Sequence, residues 1–295
     1  MPTITINKQD LFKQLGKKLS DDKLKDRISM LGTDIEQVTD SEVVVEIFPN
    51  RPDMLSSEGF ARALSAFIGL KKGLRSYKIQ NSNYTVKIDP KVKTVRQYVA
   101  AAVVKGVKFD APIIESLMQL QEKLHATHGR NRRKASIGVY DLNTIKFPLV
   151  YTTKPKSFKF RPLETKIEMT LNKILTKHPK GKEYAHLLDN FEEYPIWIDT
   201  KGQVLSMPPI INSEETKVKQ KTTDLFIDVT GLDLLAVEQA LNIIVTSLAD
   251  RGGKIYSVKI NSKTYPDLNP RSMKLNKNYI NKRLGLTLND KDIKV

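Results

Sequence analysis

The chain has 295 residues, comfortable for two domains, and 40% of them are hydrophobic, which provides for a proper core and argues against disorder. Lys and Arg number 49 against 33 Asp and Glu, a net charge of +16; such an excess favours a polyanionic partner, nucleic acid before an anionic membrane, although a Lys-rich surface that only confers solubility is the plainer reading. The absence of cysteine excludes disulfides, thiolate metal sites and Cys nucleophiles, and with no apolar signal-peptide core and no apolar run near the roughly 20 residues that span a bilayer, the chain reads as soluble, intracellular and without membrane association.

The first residues, "PTITINKQDLFKQLG", alternate at period two and turn helical near Lys8. "EVVVEIFPNRPDMLSSEGFARALSAFIGL" repeats that plan: a β-branched strand over Val43–Phe48, a two-proline loop, and a helix that Asp53 can cap. Leu55, Gly59, Ala63 and Phe67 share one face of that helix, and the unit ends near Leu70. "KKGLRSYKIQNSNY" reads as a linker or an edge hairpin. From Tyr84 a larger unit begins, with an apolar run, Val99 to Phe109, of the kind buried on both faces. Asp110 caps the next helix, whose core side carries Ile113, Leu117, Leu120 and Leu124.

"HGRNRRK", His128 to Lys134, is a basic loop: a phosphate contact through Arg130, Arg132, Arg133 and Lys134, or simply a solvated loop. Strands recur at "YPIWIDT", "QVLSMPP" and "DLFIDVT", the last leading into a helix from about Leu234 with Val237, Leu241, Ile244, Val245 and Leu248 on one stripe. "GGKIYSVKI" closes this unit and "LNPRSMKLNKNYINKRLGLTLNDKDIKV" opens a third. Strands and helices mix without regular βαβ alternation, so the class is α+β.

Polar residues recur inside the apolar stretches "VLSMPPIINSE" and "LFIDVTG": Ser206, Asn212, Ser213, Asp228 and Thr230. Burying them without partners costs a few kcal/mol each. They suit a pocket that reads a small polar ligand, or else turn and cap chemistry: Thr230 and Asp233 fit a capping box, Asp228 fits a salt-bridged strand end, and the serines and Asn212 can satisfy turns. Period two places Phe226, Asp228 and Thr230 on one face, with Asp228 and Thr230 about 7 Å apart. The Pro208–Pro209 pair breaks the ladder and indicates a sheet edge or pocket rim. The four histidines show no zinc-like spacing, and no phosphate-binding loop, dinucleotide turn or nucleophile elbow is present.

Taken in order, "FPNRPDMLSSEGFARAL", "FRPLETKIEM…ILTKHPKGKEYAHLL", "VLSMPPIINSE", "LFIDVTG" and "RSMKLNKNYINKRLGLTLNDKDI" resemble the β subunit of archaeal and eukaryotic phenylalanine–tRNA ligase, over nearly all the chain. The resemblance implies a small α/β B1-like domain over 1–80, a mixed-sheet B3/B4 tRNA-editing domain over 84–262 and the start of a B5 domain over 268–295, where the chain is expected to stop short. It implies tRNA-Phe and the ligase α subunit as partners, in a heterotetramer of two α and two β, in the cytoplasm. No cofactor is expected in this segment; ATP and Mg²⁺ belong to charging by the whole enzyme.

A synthetic site shaped for phenylalanine rejects tyrosine only by the order of 10², so a second site that hydrolyses the wrong ester is needed. The resemblance implies that Ser206, Asp228 and Thr230 line that site, with Asp228 on the ammonium of the misacylated residue and Ser206 and Thr230 orienting ester or water. Asn212 and Ser213 are substrate-binding candidates and Trp197 is a wall. A carboxylate near the usual value of about 4 is a poor general base, so positioned water, backbone N–H donors and the substrate's ribose hydroxyl are the expected sources of rate. Three departures stand out: Tyr140 in "GVYDLN" where the family often has His, Ser213 where eukaryotic relatives have Gly, and Trp197 in place of a smaller aliphatic residue. The first and last make a rival reading credible, a tRNA-binding or α-subunit-docking module that has lost editing.

Overall fold

The computed structural model describes residues 2–108 and 110–293, with the backbone alone for Ala111 and Pro112; Phe109, at the end of the apolar run noted above, and residues 294 and 295 of the third unit lie outside. The N-terminal unit runs β1 (Thr3–Asn7), α1 (Lys8–Leu15), α2 (Asp21–Met30), β2 (Asp34–Val38), β3 (Glu42–Glu46) and α3 (Ser57–Phe67), its sheet antiparallel in the order β1-β3-β2. Alternation explains the packing: Ile4, Ile6, Val43 and Val45 face inward, under Leu11 and Phe60.

The cap of α3 is Ser56, which accepts from the Gly59 N–H, and not Asp53. Asp53 instead takes two hydrogen bonds from Arg51, each 2.9 Å, which hold the proline loop. Gly59 is dictated by the same loop, since a Cβ there would stand 1.7 Å from the Asp53 carbonyl oxygen. Phe67, placed on the inward face by periodicity, is 42% exposed at the helix end.

The larger unit runs β4 (Ile79–Ile88), β5 (Tyr98–Lys105), α4 (Ala111–Ala126), β6 (Ala135–Asp141), β7 (Leu149–Pro155), β8 (Lys159–Phe160), β9 (Met169–Thr170), α5 (Leu171–Lys177), α6 (Pro179–Tyr184), β10 (Glu193–Ile198), β11 (Val204–Met207), β12 (Ile211–Asn212), β13 (Leu225–Gly231), α7 (Leu234–Asp250), β14 (Lys254–Ile260) and β15 (Lys263–Tyr265). Among the described residues ten strands form one mixed sheet, ordered β12-β11-β10-β7-β4-β14-β5-β13-β6, with β15 on β14. The fold is therefore α+β, as expected.

The segment read as a linker or edge hairpin is irregular over 71–78, and from Ile79 it opens β4, which runs parallel to β14 and, from Val86, to β7. Its polar residues mark one open face, while its backbone pairs with β14 over 79–86 and with β7 over 86–88, a fact that composition does not carry. The sheet thus begins at Ile79, ahead of the expected boundary at 84, and β15 extends it past 262. The two units share one continuous core from Ile4 to Tyr265. Arg251, at the end of α7, locks them together, with Nη1 2.6 Å from Asp10 Oδ1 and Nε 2.6 Å from Glu58 Oε1. The third segment holds α8 (Lys277–Leu284) and α9 (Asp290–Ile293), neither with a buried residue.

The large sheet twists until its two edges meet. The Asn212 amide on β12 donates to the Val139 carbonyl on β6 at 3.3 Å, closing a seam between strands at opposite ends of the order. The Pro208–Pro209 turn sits at this edge, as its sequence indicates.

Candidate functional site

A cavity of about 390 Å³ opens at the seam, within the range of small-molecule sites. Helix α4 supplies one wall through Met118, Gln121 and Glu122; the β11–β12 turn supplies another through Pro208–Asn212; Gly138, Tyr140, Ser206 and Asp228 line its interior.

The interior polar groups form one hydrogen-bonded row. The Tyr140 hydroxyl donates to Asp228 Oδ1 at 2.5 Å, which leaves its oxygen to accept from the Ser206 hydroxyl at 2.7 Å. All three residues are buried. Strand register places Gly138 on β6 directly opposite Asp228 on β13, and a Cβ at Gly138 would stand 2.1 Å from the Tyr140 hydroxyl and 2.3 Å from Asp228 Oδ1. Only glycine leaves room for the row. Tyr140 stacks on Phe226 at 5.8 Å, and Phe226 packs edge-on to Trp197 at 5.9 Å.

Burial pushes the Asp228 carboxyl up to about 7. The Tyr140 hydroxyl, the Trp197 indole N–H (which makes no full hydrogen bond) and the Arg96 charge pull it downward without prevailing. The expectation of an ordinary, weakly basic carboxylate is therefore corrected: Asp228 changes charge near neutrality. Burial and the neighbouring carboxyl raise Tyr140 well above the usual phenol range, so that it stays neutral and can donate and accept at once.

Of the residues picked from the sequence, Ser206, Asp228, Asn212 and Arg132 line the cavity, and Ser206 and Asp228 meet through Tyr140. Thr230 does not line it. Its hydroxyl takes a 2.9 Å hydrogen bond from Arg96 Nε, because the strand carries it beyond the cavity floor to the buried guanidinium. Nor does it cap α7; Asp233 does. Ser213 turns away to cap the short helix at 214–216. Trp197 lies behind the cavity, wholly buried against Tyr151 and Phe226, and forms no part of its surface.

The basic loop also divides. Arg130 and Arg133 are exposed. Arg132 is not a free cation: it is buried, donates to the Pro209 and Ile210 carbonyls and to Glu122 Oε1, and lies 4.2 Å from the Tyr184 ring centroid. Lys134 pairs with Asp233 at 2.8 Å. Arg130, Asn131 and Arg132 have φ of 48°, 51° and 66°, a left-handed run that non-glycine residues seldom adopt. The contacts of Arg132 and of buried Arg96, which donates to the Arg132 and Arg133 carbonyls, hold it.

Several residues in and behind the site are absent from the site residues read in the sequence, among them the α4 wall, Tyr140 and Arg96. Tyr140 was a departure from a pattern, and its signal was the alternation Gly138-x-Tyr140 on a buried face, with glycine marking a close approach. Arg96, lowered by burial to about 10 and still charged at neutral pH, had no local signal.

Residues 95–247 match the B3/4 domain family and residues 1–70 the Phe-tRNA synthetase beta subunit B1 domain family. The chain is 45% identical over 301 residues to the phenylalanine–tRNA ligase beta subunit of Archaeoglobus fulgidus, an alignment that covers 100% of this chain and 54% of that protein. It is 44% identical over 298 residues to the same subunit of Methanococcoides burtonii, covering 99% and 55%. The crystal structure of an N-terminal fragment of the phenylalanyl-tRNA synthetase beta subunit from Pyrococcus horikoshii superposes with a TM-score of 0.95 at 42% identity, covering 99% of this chain and 87% of that one. The chain spans about half the length of the curated relatives it matches.

Proposed function

Because the chain belongs to the phenylalanine–tRNA ligase beta-subunit family, we propose that its seam cavity hydrolyses the ester of tRNA-Phe wrongly charged with tyrosine. The observation that carries this reading is the Ser206–Tyr140–Asp228 row, a proton acceptor near neutrality reached through hydroxyls that line a ligand-sized cavity. The substrate's aminoacyl end enters between α4 and the β11–β12 turn, where Asn212 and the Pro209–Ile210 backbone meet it. Exposed Arg130 and Arg133 contact phosphate. Thr230, Ser213 and Trp197 support the site from behind it rather than from its surface.

The whole enzyme, on the same reading, is cytoplasmic, pairs two such subunits with two α subunits, and charges tRNA-Phe using ATP and Mg²⁺. Among the described residues no group of three or more His, Cys, Asp or Glu is placed to hold a metal ion. No helix among them is long and apolar enough to cross a membrane.

A second reading has one observation in its favour. The Tyr140 phenol already takes up the Ser206 proton and Asp228 Oδ1, so a substrate hydroxyl must compete with it for both; the domain would then bind tRNA or the α subunit without turnover. Incubation of the chain with tyrosyl-tRNA-Phe separates the two. Release of tyrosine, abolished in a Ser206→Ala, Asp228→Ala double variant, supports editing; intact ester with salt-dependent tRNA binding supports the module.

A further inference from the structure

Asp228 faces an obstacle as a base. It is 1% exposed, and its Oδ1 is covered by the Tyr140 hydroxyl, so a water in the cavity meets Ser206 and Tyr140 before it meets the carboxyl. The row is ordered in one direction: Ser206 donates to Tyr140, and Tyr140 donates to Asp228, at 2.7 and 2.5 Å. Gly138 opposite, without a Cβ, is what permits that spacing. We infer that Tyr140 is a proton relay for the hydrolysis, carrying the proton of the attacking water from Ser206 to Asp228. This rests on the hydrolytic reading above.

The step balances. The water oxygen bonds to the ester carbonyl carbon while its proton passes to Ser206 Oγ, that of Ser206 to Tyr140 Oη, and that of Tyr140 to Asp228. As the tetrahedral intermediate collapses, the bond from carbonyl carbon to ribose oxygen breaks. The proton returns along the same row to the ribose oxygen, and the released carboxylic acid ionises into solvent. The row begins and ends with neutral Ser206 and Tyr140 and an ionised Asp228. The titratable and charged groups that face Asp228 are Tyr140 from β6, Tyr151 from β7 and Arg96 from the turn before β5, with the Trp197 indole N–H from β10 beside them.

The test is the hydrolysis rate of tyrosyl-tRNA-Phe by the full chain between pH 5.5 and 8.5, for wild type, Tyr140→Phe and Ser206→Ala. The relay predicts a wild-type rate that rises with pH through about 7. Tyr140→Phe, which keeps the ring, should lose about 10²-fold and the rise with pH together, the scale of general base catalysis. Ser206→Ala cuts the row at its other end with the Tyr140–Asp228 bond intact, and should flatten the profile likewise; it keeps the question open to measurement if the phenylalanine variant does not fold. A wild type that hydrolyses, with both variants keeping its rate and pH profile, overturns the relay alone. A wild type that leaves the ester intact overturns the hydrolytic reading and the relay with it.

Discussion

Asn212 and Val139 touch across the seam of the large sheet, the Asn212 amide donating to the Val139 carbonyl at 3.3 Å, although their strands stand at opposite ends of its order. The same seam brings Ser206, from one end of the sheet, to Tyr140 and Asp228 at the other. Asn212→Ala should loosen the seam with little loss of fold, since its partner is one carbonyl. A destabilisation of about 1 kcal/mol is expected, read by urea unfolding, beside a larger fall in tyrosyl-tRNA hydrolysis.

Gly138→Ala is the sharpest probe of the row. Its methyl would press on the Tyr140 hydroxyl and on Asp228 together, which separates them or shifts β6. Overpacking of this kind costs about 1–3 kcal/mol. Thermal unfolding should register that cost, and hydrolysis should be lost in protein that is still folded; an alanine variant with wild-type stability and rate would contradict the geometry.

Asp228 makes a signed prediction for stability. Folded, it keeps its proton up to about pH 7; unfolded, it ionises near 4. Between those values the folded chain binds more protons, so stability falls as pH rises through the window and levels off above it. Asp228→Asn stays neutral throughout, and should match wild type near pH 4 but exceed it by up to a few kcal/mol at pH 8. Melting curves at the two pH values decide; a variant no more stable at pH 8 than at pH 4, relative to wild type, would refute it.

Arg251 clamps the N-terminal unit to the larger one. Arg251→Met leaves Asp10 and nearly buried Glu58 without their cation, and removal of one partner from a buried ion pair costs about 3–5 kcal/mol. The loss should appear in denaturant unfolding as one transition moved to lower urea, because the two units share a core. Two separate transitions would argue against that continuity.

The basic loop gives a matched pair of variants. Arg132→Ala removes the donor to two carbonyls of the cavity turn and should destabilise by about 2 kcal/mol or more. Arg130→Ala with Arg133→Ala, both exposed, should leave stability unchanged, weaken tRNA binding and reduce the slope of log affinity against log salt by about 2. Binding isotherms at several salt concentrations measure it.

The elements with long apolar periodicity were legible in the chain. The helix with Val237, Leu241, Ile244, Val245 and Leu248 on one stripe, the both-faces-buried run that becomes β5, and the buried alternation of β13 follow from local pattern, because burial of one stripe or face decides such segments. So does the family, and the polar residues Ser206 and Asp228, noted within apolar stretches, line the cavity. What failed were judgements that need a partner distant in sequence. The start of β4, within the stretch that reads as a linker or an edge hairpin, gives no local signal because its ladder partners lie at 255–260. Arg132 looked like a free cation since the turn that accepts its hydrogen bonds lies at 209 and 210.

The chain by itself determined its α+β class, its motif order and the polar residues set into apolar strands, all properties of spacing and side-chain type. Only the tertiary structure decided that the sheet curls until its edges meet, that Tyr140 stands between Ser206 and Asp228, and that Asp228 titrates near neutrality. Those depend on which atoms lie within a hydrogen bond's reach and how much water they exclude, and both are set by strands that local sequence does not bring together.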